Sequence, residues 1–211
     1  MADQTKAQIL TAAEKLFAEK GFAGVGVREI TQLADVNIAS ISYHFGSKEE
    51  LYLEMVRRYV EPVNQQRLEL LAETMAAQPT AQSIFAALFN PMMELFSQPK
   101  GEPNPVRIRL AARVFVDLAD SVTDFQERLF KEVKQKFFAA LTAACPEVPP
   151  EHVPRRFYLA IALMGGAFVQ LSEQCRRNPG RMGRAEIRAA FDDLARFAAA
   201  GFSAPLPTTR S

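Results

Sequence analysis

The chain has 211 residues, 48% of them hydrophobic, 23% charged and 9% aromatic, with a formal net charge of +1. That profile excludes a disordered chain, supports a real core in one large domain or two small ones, and leaves bulk charge naming no partner. The apolar stretches are short and interrupted by Arg, Lys and Glu, no leader-like segment opens the N-terminus, and Cys145 and Cys175 are too few for a disulfide framework or a Cys-rich zinc site.

Apolar residues recur every three or four positions and alternating strand patterns are missing, which predicts an all-α fold. A first helix is expected from Thr5 to Lys20, with Ile9, Ala13, Leu16 and Phe17 on one face and Gly21 closing it. Val27 to Ala34 forms a short second helix with Ile30, Leu33 and Ala34 inward. Asn37 caps a third, Ile38 to His44. Ser47 and Glu50 have the spacing of a capping box and open a long helix from Lys48 to about Ala77, in which Pro62 predicts a kink or brief break. Further helices are expected over 81–96, after a cap at Thr80, and over 106–118, after the Pro- and Gly-rich loop 98–105. The next begins at a Ser121–Asp124 box and carries the stripe Val122, Phe125, Leu129, Val133, Phe137, Leu141 and Ala144. Helices 155–176 and 184–200 follow, separated by Asn178-Pro179-Gly180, and the end of the chain reads as a frayed tail. The organisation is therefore an N-terminal unit over 1–47, a larger helical unit over 48–203 and a tail over 204–211.

Four helices begin within fifty residues, and three are short. A helix of under ten residues is unstable alone, so its neighbours must hold it, as in the helix-turn-helix, where the second helix is presented to the DNA major groove. Ala39, Ser40 and Ser42 permit close approach there, and Tyr43 and His44 donate to phosphates or base edges. The spaced features Phe17, Gly21-Phe22, Arg28-Glu29-Ile30, Ala34-Asp35-Val36 and Tyr43-His44-Phe45-Gly46-Ser47-Lys48-Glu49-Glu50-Leu51 resemble the DNA-binding head of the TetR family of bacterial transcription repressors. The resemblance implies operator contacts from Arg28, Ser40, Ser42, Tyr43, His44 and Lys48, the last to phosphate. With Asn37 and Ala39 these make up the face expected at double-stranded DNA. Val25 and Gly26 depart from the family's usual Thr or Ser, which removes one customary cap. Residues 1–50 carry Lys6, Lys15, Lys20, Arg28 and Lys48 against Asp3, Glu14, Glu19, Glu29, Asp35, Glu49 and Glu50, so weak binding to random DNA is expected.

The resemblance further implies a C-terminal helical domain that binds a small molecule and dimerises through its last two long helices. Helix 155–176 is apolar nearly all round, which fits one face toward its own core and one toward a partner, and Gly165-Gly166-Ala167 permits close approach of a helix or ligand. The last helix adds Ile187, Ala190, Phe191, Leu194, Phe197 and Ala198, so an isologous homodimer is expected. Sixteen Phe and seven Met without Trp describe a deformable interior suited to a hydrophobic effector. Candidate lining residues are Phe85, Phe89, Met92, Met93, Phe96, Phe115, Phe137, Met164 and Phe168, each of which taken singly reads first as core. Arg109, with Arg107 and Arg113 on the same helix, is the candidate anchor for a carboxylate or phosphate. The stretch Phe130 to Phe168 weakly resembles the fatty-acid-responsive PsrA-like branch, which implies a fatty acid or acyl thioester.

Catalytic and metal sites find little support. Ser40 and His44 lack an oxyanion loop and an orienting third group, and His152 with Cys145 makes a poor metal site. The expectation is a cytoplasmic repressor without cofactor or metal. A small helical enzyme and a protein-binding adaptor are the alternatives.

Overall fold

The computed structural model describes residues 2–96, 103–116, 120–178 and 183–206, and every regular element among them is helical. The order is α1 (Ala2–Lys20), α2 (Val27–Ala34), α3 (Ala39–Phe45), α4 (Lys48–Ala76), α5 (Ala81–Phe89), α6 (Pro91–Leu95), α7 (Pro105–Val116), α8 (Asp120–Ala144), α9 (Val153–Arg177) and α10 (Arg184–Phe202), with a 3-10 turn at Pro150–His152 before α9. The loop residues 97–102, Asp117 to Ala119, the Pro179-Gly180 break and the tail from Pro207 lie outside the described residues, as does the Ser121 side chain.

Local chemistry explains the head. Gly21 closes α1 at φ 71° and Gly46 closes α3 at φ 82°. Asp35 takes the left-handed conformation at φ 53°, which turns the chain sharply between α2 and α3. The Asn37 side-chain oxygen accepts from the Ala39 N–H at 2.9 Å, and Ser47 Oγ accepts from the Glu50 N–H at 3.0 Å. Gly26 precedes α2 without a side-chain cap, as Val25-Gly26 predicts. One expectation is corrected here: Leu33 is 52% exposed, and Thr31 takes the inward place beside Ile30 and Ala34. Its hydroxyl donates to the Val27 and Arg28 carbonyls, so burying it leaves no polar group unsatisfied.

Two apolar clusters organise the chain. The first joins Ile9, Leu16, Phe17, Ile30, Ile41, Leu51, Tyr52 and Val56 with Leu110 of α7 and Phe125 of α8. The second fills the space among α4, α5, α7, α8, α9 and α10, with Phe85, Phe137, Phe157, Phe168 and Phe191 at its centre. The start of α4 belongs to the first cluster and its later turns to the second. At 29 residues it is about 44 Å long. It passes through Pro62 as helix, with Pro62 and Arg58 both on the solvent side, where a carbonyl that loses its helical partner is cheapest to leave. The expected 81–96 helix is instead two, because Pro91 offers no N–H to α5 and starts α6 at its first position. Helix α1 begins at Ala2 rather than Thr5, and no helix among the described residues is long and apolar enough to cross a membrane.

Candidate DNA-binding face and effector cavity

Helix α3 has seven residues, and only Ile41 of it is buried. Ala39, Ser42 and Tyr43 point to solvent, Tyr43 with 82% of its surface exposed, and Asn37 and Arg28 are exposed as well. Ser40 and His44 are half-buried, and the His44 ring meets Tyr43 edge-on at 4.9 Å. Lys48 sits at the start of α4, where its Nζ donates to the Phe22 and Val25 carbonyls at 3.1 Å each and lies 4.2 Å from the Phe22 ring centre. It therefore ties the turn after α1 to α4 and keeps one ammonium hydrogen for another acceptor. Lys20 pairs with Glu29 and Lys6 with Glu54, so part of the basic charge of this region is already partnered.

A cavity of about 660 Å³ lies between α4, α7, α8 and α9, within the size range of small-molecule sites. Of the residues expected to line it, Phe115, Met164 and Phe168 do so, together with Met92. Phe85 and Phe89 stack on each other at 5.7 Å, and Phe85 meets Phe202, which places both in the core under α10. Phe137 is fully buried in that core and Met93 packs at its margin. Phe96 lies edge-on to Phe168 at 5.0 Å, one layer behind the wall. Arg109 is outside the cavity, with a buried Nε that meets no acceptor, and burial raises the pKa of the nearby Cys175 thiol against the opposing charge of its guanidinium. Arg107 lines the cavity instead.

The polar lining was mostly hidden from pattern reading. Arg67 is 3% exposed, donates from Nε to the Leu88 carbonyl at 2.8 Å and from Nη1 to Asn64 Oδ1 at 3.0 Å, and has the Phe130 ring 5.9 Å away. Burial alone lowers its pKa to about 10. Its sequence signal is the row Val63, Arg67, Leu71, in which a cation occupies the middle of an inward i, i+4 face. Tyr59 donates to Glu14 of α1, and Arg107 stands 3.8 Å from the other oxygen of that carboxylate and 5.2 Å from the Tyr59 ring centre. Burial first, and the bond to Glu14 second, push the Tyr59 hydroxyl up to about 12. Tyr59 and Arg107 line the cavity while Glu14 belongs to the head, so one carboxylate joins the two regions. Lys134 pairs with Glu127 at the wall. Burial opposes its charge, but the contacts with Glu127 and Tyr158 outweigh that and raise its pKa.

On the far side of α9 an apolar surface is open to solvent. Leu159 (58% exposed) and Leu163 (40%) of α9 stand beside Phe197 (69%) of α10, rimmed by Arg156, Gln170, Gln174, Asp193 and Arg196. The stripe expected on α10 thus divides: Ile187, Phe191 and Ala198 face the core, while Phe197 faces out with Ala190 and Leu194 at the hollow's edge. An apolar centre with a polar rim is the anatomy of a protein interface.

A short, exposed, polar helix held on a three-helix head, followed by a helical body with a cavity, is the arrangement of a helix-turn-helix protein with a second helical domain. Comparison with known families agrees: residues 9–55 match the model of bacterial regulatory proteins of the tetR family, and residues 86–201 match the tetracyclin repressor-like C-terminal domain. The chain belongs to the TetR family. It is 38% identical over 90 residues to the probable transcriptional regulator YttP of Bacillus subtilis, a match spanning 43% of each protein. It is 39% identical over 69 residues to the transcriptional repressor NicS of Pseudomonas putida, spanning 33% of this chain and 32% of NicS. The chain thus matches less than half the length of these curated relatives. The fold extends further: a transcriptional regulator from Rhodococcus sp. Rha1 superposes with a TM-score of 0.61 at 19% identity, over 95% of this chain and 99% of the other.

Proposed function

We propose that this protein is a cytoplasmic, homodimeric transcription repressor that binds a palindromic operator through α3 and leaves it when a small hydrophobic effector enters the cavity. A fatty acid or acyl thioester is the candidate effector, and no catalysis is involved. The observation that carries the reading is α3 itself, seven residues of which only Ile41 is buried and Phe45 packs at the margin, with Tyr43 almost wholly exposed, more surface than packing requires. Arg28, Asn37, Ala39, Ser40, Ser42, Tyr43, His44 and the spare hydrogen of Lys48 supply the contacts to bases and phosphates. The apolar hollow of α9 and α10 supplies the twofold interface, which sets the two copies of α3 one DNA turn apart, about 34–36 Å. Coupling runs along α4 and through Glu14, whose partners Tyr59 and Arg107 both stand in the cavity wall. An effector that displaces either side chain shifts α1 and swings the lever formed by α4, changing the spacing of the heads.

Selection of bound fragments from genomic DNA tests the reading. A recovered inverted repeat, with half-sites one helical turn apart and a dimer on each fragment, is the expected result. A protein that stays monomeric and retains no duplex overturns it.

A further inference from the structure

Arg67 is the one charged side chain that is fully buried among the described residues, and both of its partners are neutral. Asn64 cannot relieve the charge, because its amide is committed: Nδ2 donates to the Leu129 carbonyl at 2.9 Å, which turns only Oδ1 toward the guanidinium. The other cations of the cavity wall differ in this respect. Arg107 faces Glu14, and Lys134 faces Glu127. A desolvated guanidinium without a carboxylate is unfavourable, and hydrogen bonds to two neutral acceptors offset only part of the cost of burying its charge. Its retention in the wall of a mainly apolar cavity, where Arg107 and Lys134 already have carboxylate partners, is accounted for by an anion that arrives with the ligand. A guanidinium with two bonds spent still offers a planar edge suited to a carboxylate.

We propose that the cavity takes an amphiphile with a free carboxylate, read by Arg67 from inside the protein, with its hydrocarbon along Phe115, Val133, Met164 and Phe168. The proposal rests on the effector reading above and narrows it. An acyl thioester presents a neutral carbonyl at this position and leaves the buried charge unpaired, so the free acid is the ligand and the thioester is not. It also moves the anchoring role from Arg109, which lies outside the cavity, to Arg67 on α4.

Isothermal titration of the full chain with sodium hexanoate, laurate and benzoate, and with 1-dodecanol and methyl laurate as neutral counterparts, tests this below the critical micelle concentration. At least one carboxylate is expected to bind with one site per chain, and laurate is expected to bind at least tenfold more tightly than dodecanol or the ester. Arg67→Met is expected to erase that preference, and to lower the melting temperature of the unliganded protein because the Leu88 carbonyl and Asn64 Oδ1 lose their donor. Arg67→Lys, which keeps the charge, is expected to keep the preference, and it carries the test if the Met variant fails to fold. Equal affinity for acid and alcohol, a preference that survives Arg67→Met, or no binding by any of the three carboxylates would each overturn the proposal. Gel retardation with selected DNA separates this outcome from the regulator reading. Intact operator binding without a carboxylate preference rejects only the ligand, and carboxylate binding without DNA binding rejects only the regulator.

Discussion

The head and the body use apolar surface in opposite ways. In the head, the buried aromatic and aliphatic side chains serve as support: Phe17 meets Tyr52 edge-on at 5.1 Å and stacks on Phe22 at 6.0 Å, so that the polar side of α3 stays outside. In the body, the same residue types enclose a space, and the groups able to do chemistry point inward at it. Recognition of a large polyanion needs an outward polar face on a rigid mount, whereas recognition of a small amphiphile needs a dry interior with a few placed polar atoms. The two regions meet where Leu110 and Phe125 of the body enter the head's core, where Arg113 donates to the Glu19 carbonyl at 3.3 Å, and at Glu14.

The sharpest way to break this contrast is to empty the head's core alone. Phe17→Ala removes a fully buried ring and is expected to cost about 3–5 kcal/mol, abolishing operator binding while laurate binding to the body persists. Denaturant unfolding alongside the titration checks it. If ligand binding falls as steeply, the two cores unfold as one unit. A smaller effect is expected at the seam. Glu14→Gln keeps the size of the side chain but removes the charge that holds Tyr59 and Arg107 to α1. Laurate is expected to bind as before, while the fall in operator affinity on adding it, about 5–150-fold for a coupling of 1–3 kcal/mol, shrinks toward none. Fluorescence anisotropy of labelled operator with and without laurate measures that ratio.

The smallest effect sharpens the contrast within α9, whose two neighbouring glycines face different surroundings. A Cβ on Gly165 would lie 2.7 Å from a ring carbon of Phe115 in the cavity wall, while one on Gly166 meets nothing within 4 Å. Gly165→Ala is therefore expected to lose about 1–2 kcal/mol, overpacking outweighing the gain in helix propensity, and Gly166→Ala to gain about 0.5–1 kcal/mol when the protein is dilute enough to be monomeric. Thermal denaturation of the pair orders them, and the reverse order would place the free space on the cavity side of the helix.

Much of the head is legible in the amino-acid order alone. Val27 to Ala34 is found as α2 with those bounds, and the caps at Asn37 and Ser47 make the hydrogen bonds their residue types predict. Such features depend on atoms a few residues apart, which the sequence states directly. The lining of the cavity was legible only in part. Phe115, Met164 and Phe168 line the cavity while Phe85, Phe89 and Phe137 fill the core, yet all six are apolar residues at helical spacing, and nothing local distinguishes wall from filling. Arg109 looked like the anchor because it stands among other arginines. The importance of Arg67 lies in the burial of its surroundings, which its neighbours in the chain only hint at.

By itself, then, the amino-acid order determined that this protein is helical, where its short helices start and stop, and that its first fifty residues present a polar stub. Periodicity and capping act through the nearest turns of the chain, so they can be read without knowing what packs against them. Which side of α9 meets the cavity and which meets solvent was decided only when α4, α7, α8 and α10 closed around one another. So was the stranding of the Arg67 charge without a carboxylate, and the meeting of Glu14 with Tyr59 and Arg107 across the seam. Those outcomes join residues distant in the chain, 21 positions apart in the Arg67–Leu88 bond and 45 in the Tyr59–Glu14 bond, and depend on how much water each group loses, a quantity that no stretch of sequence carries on its own.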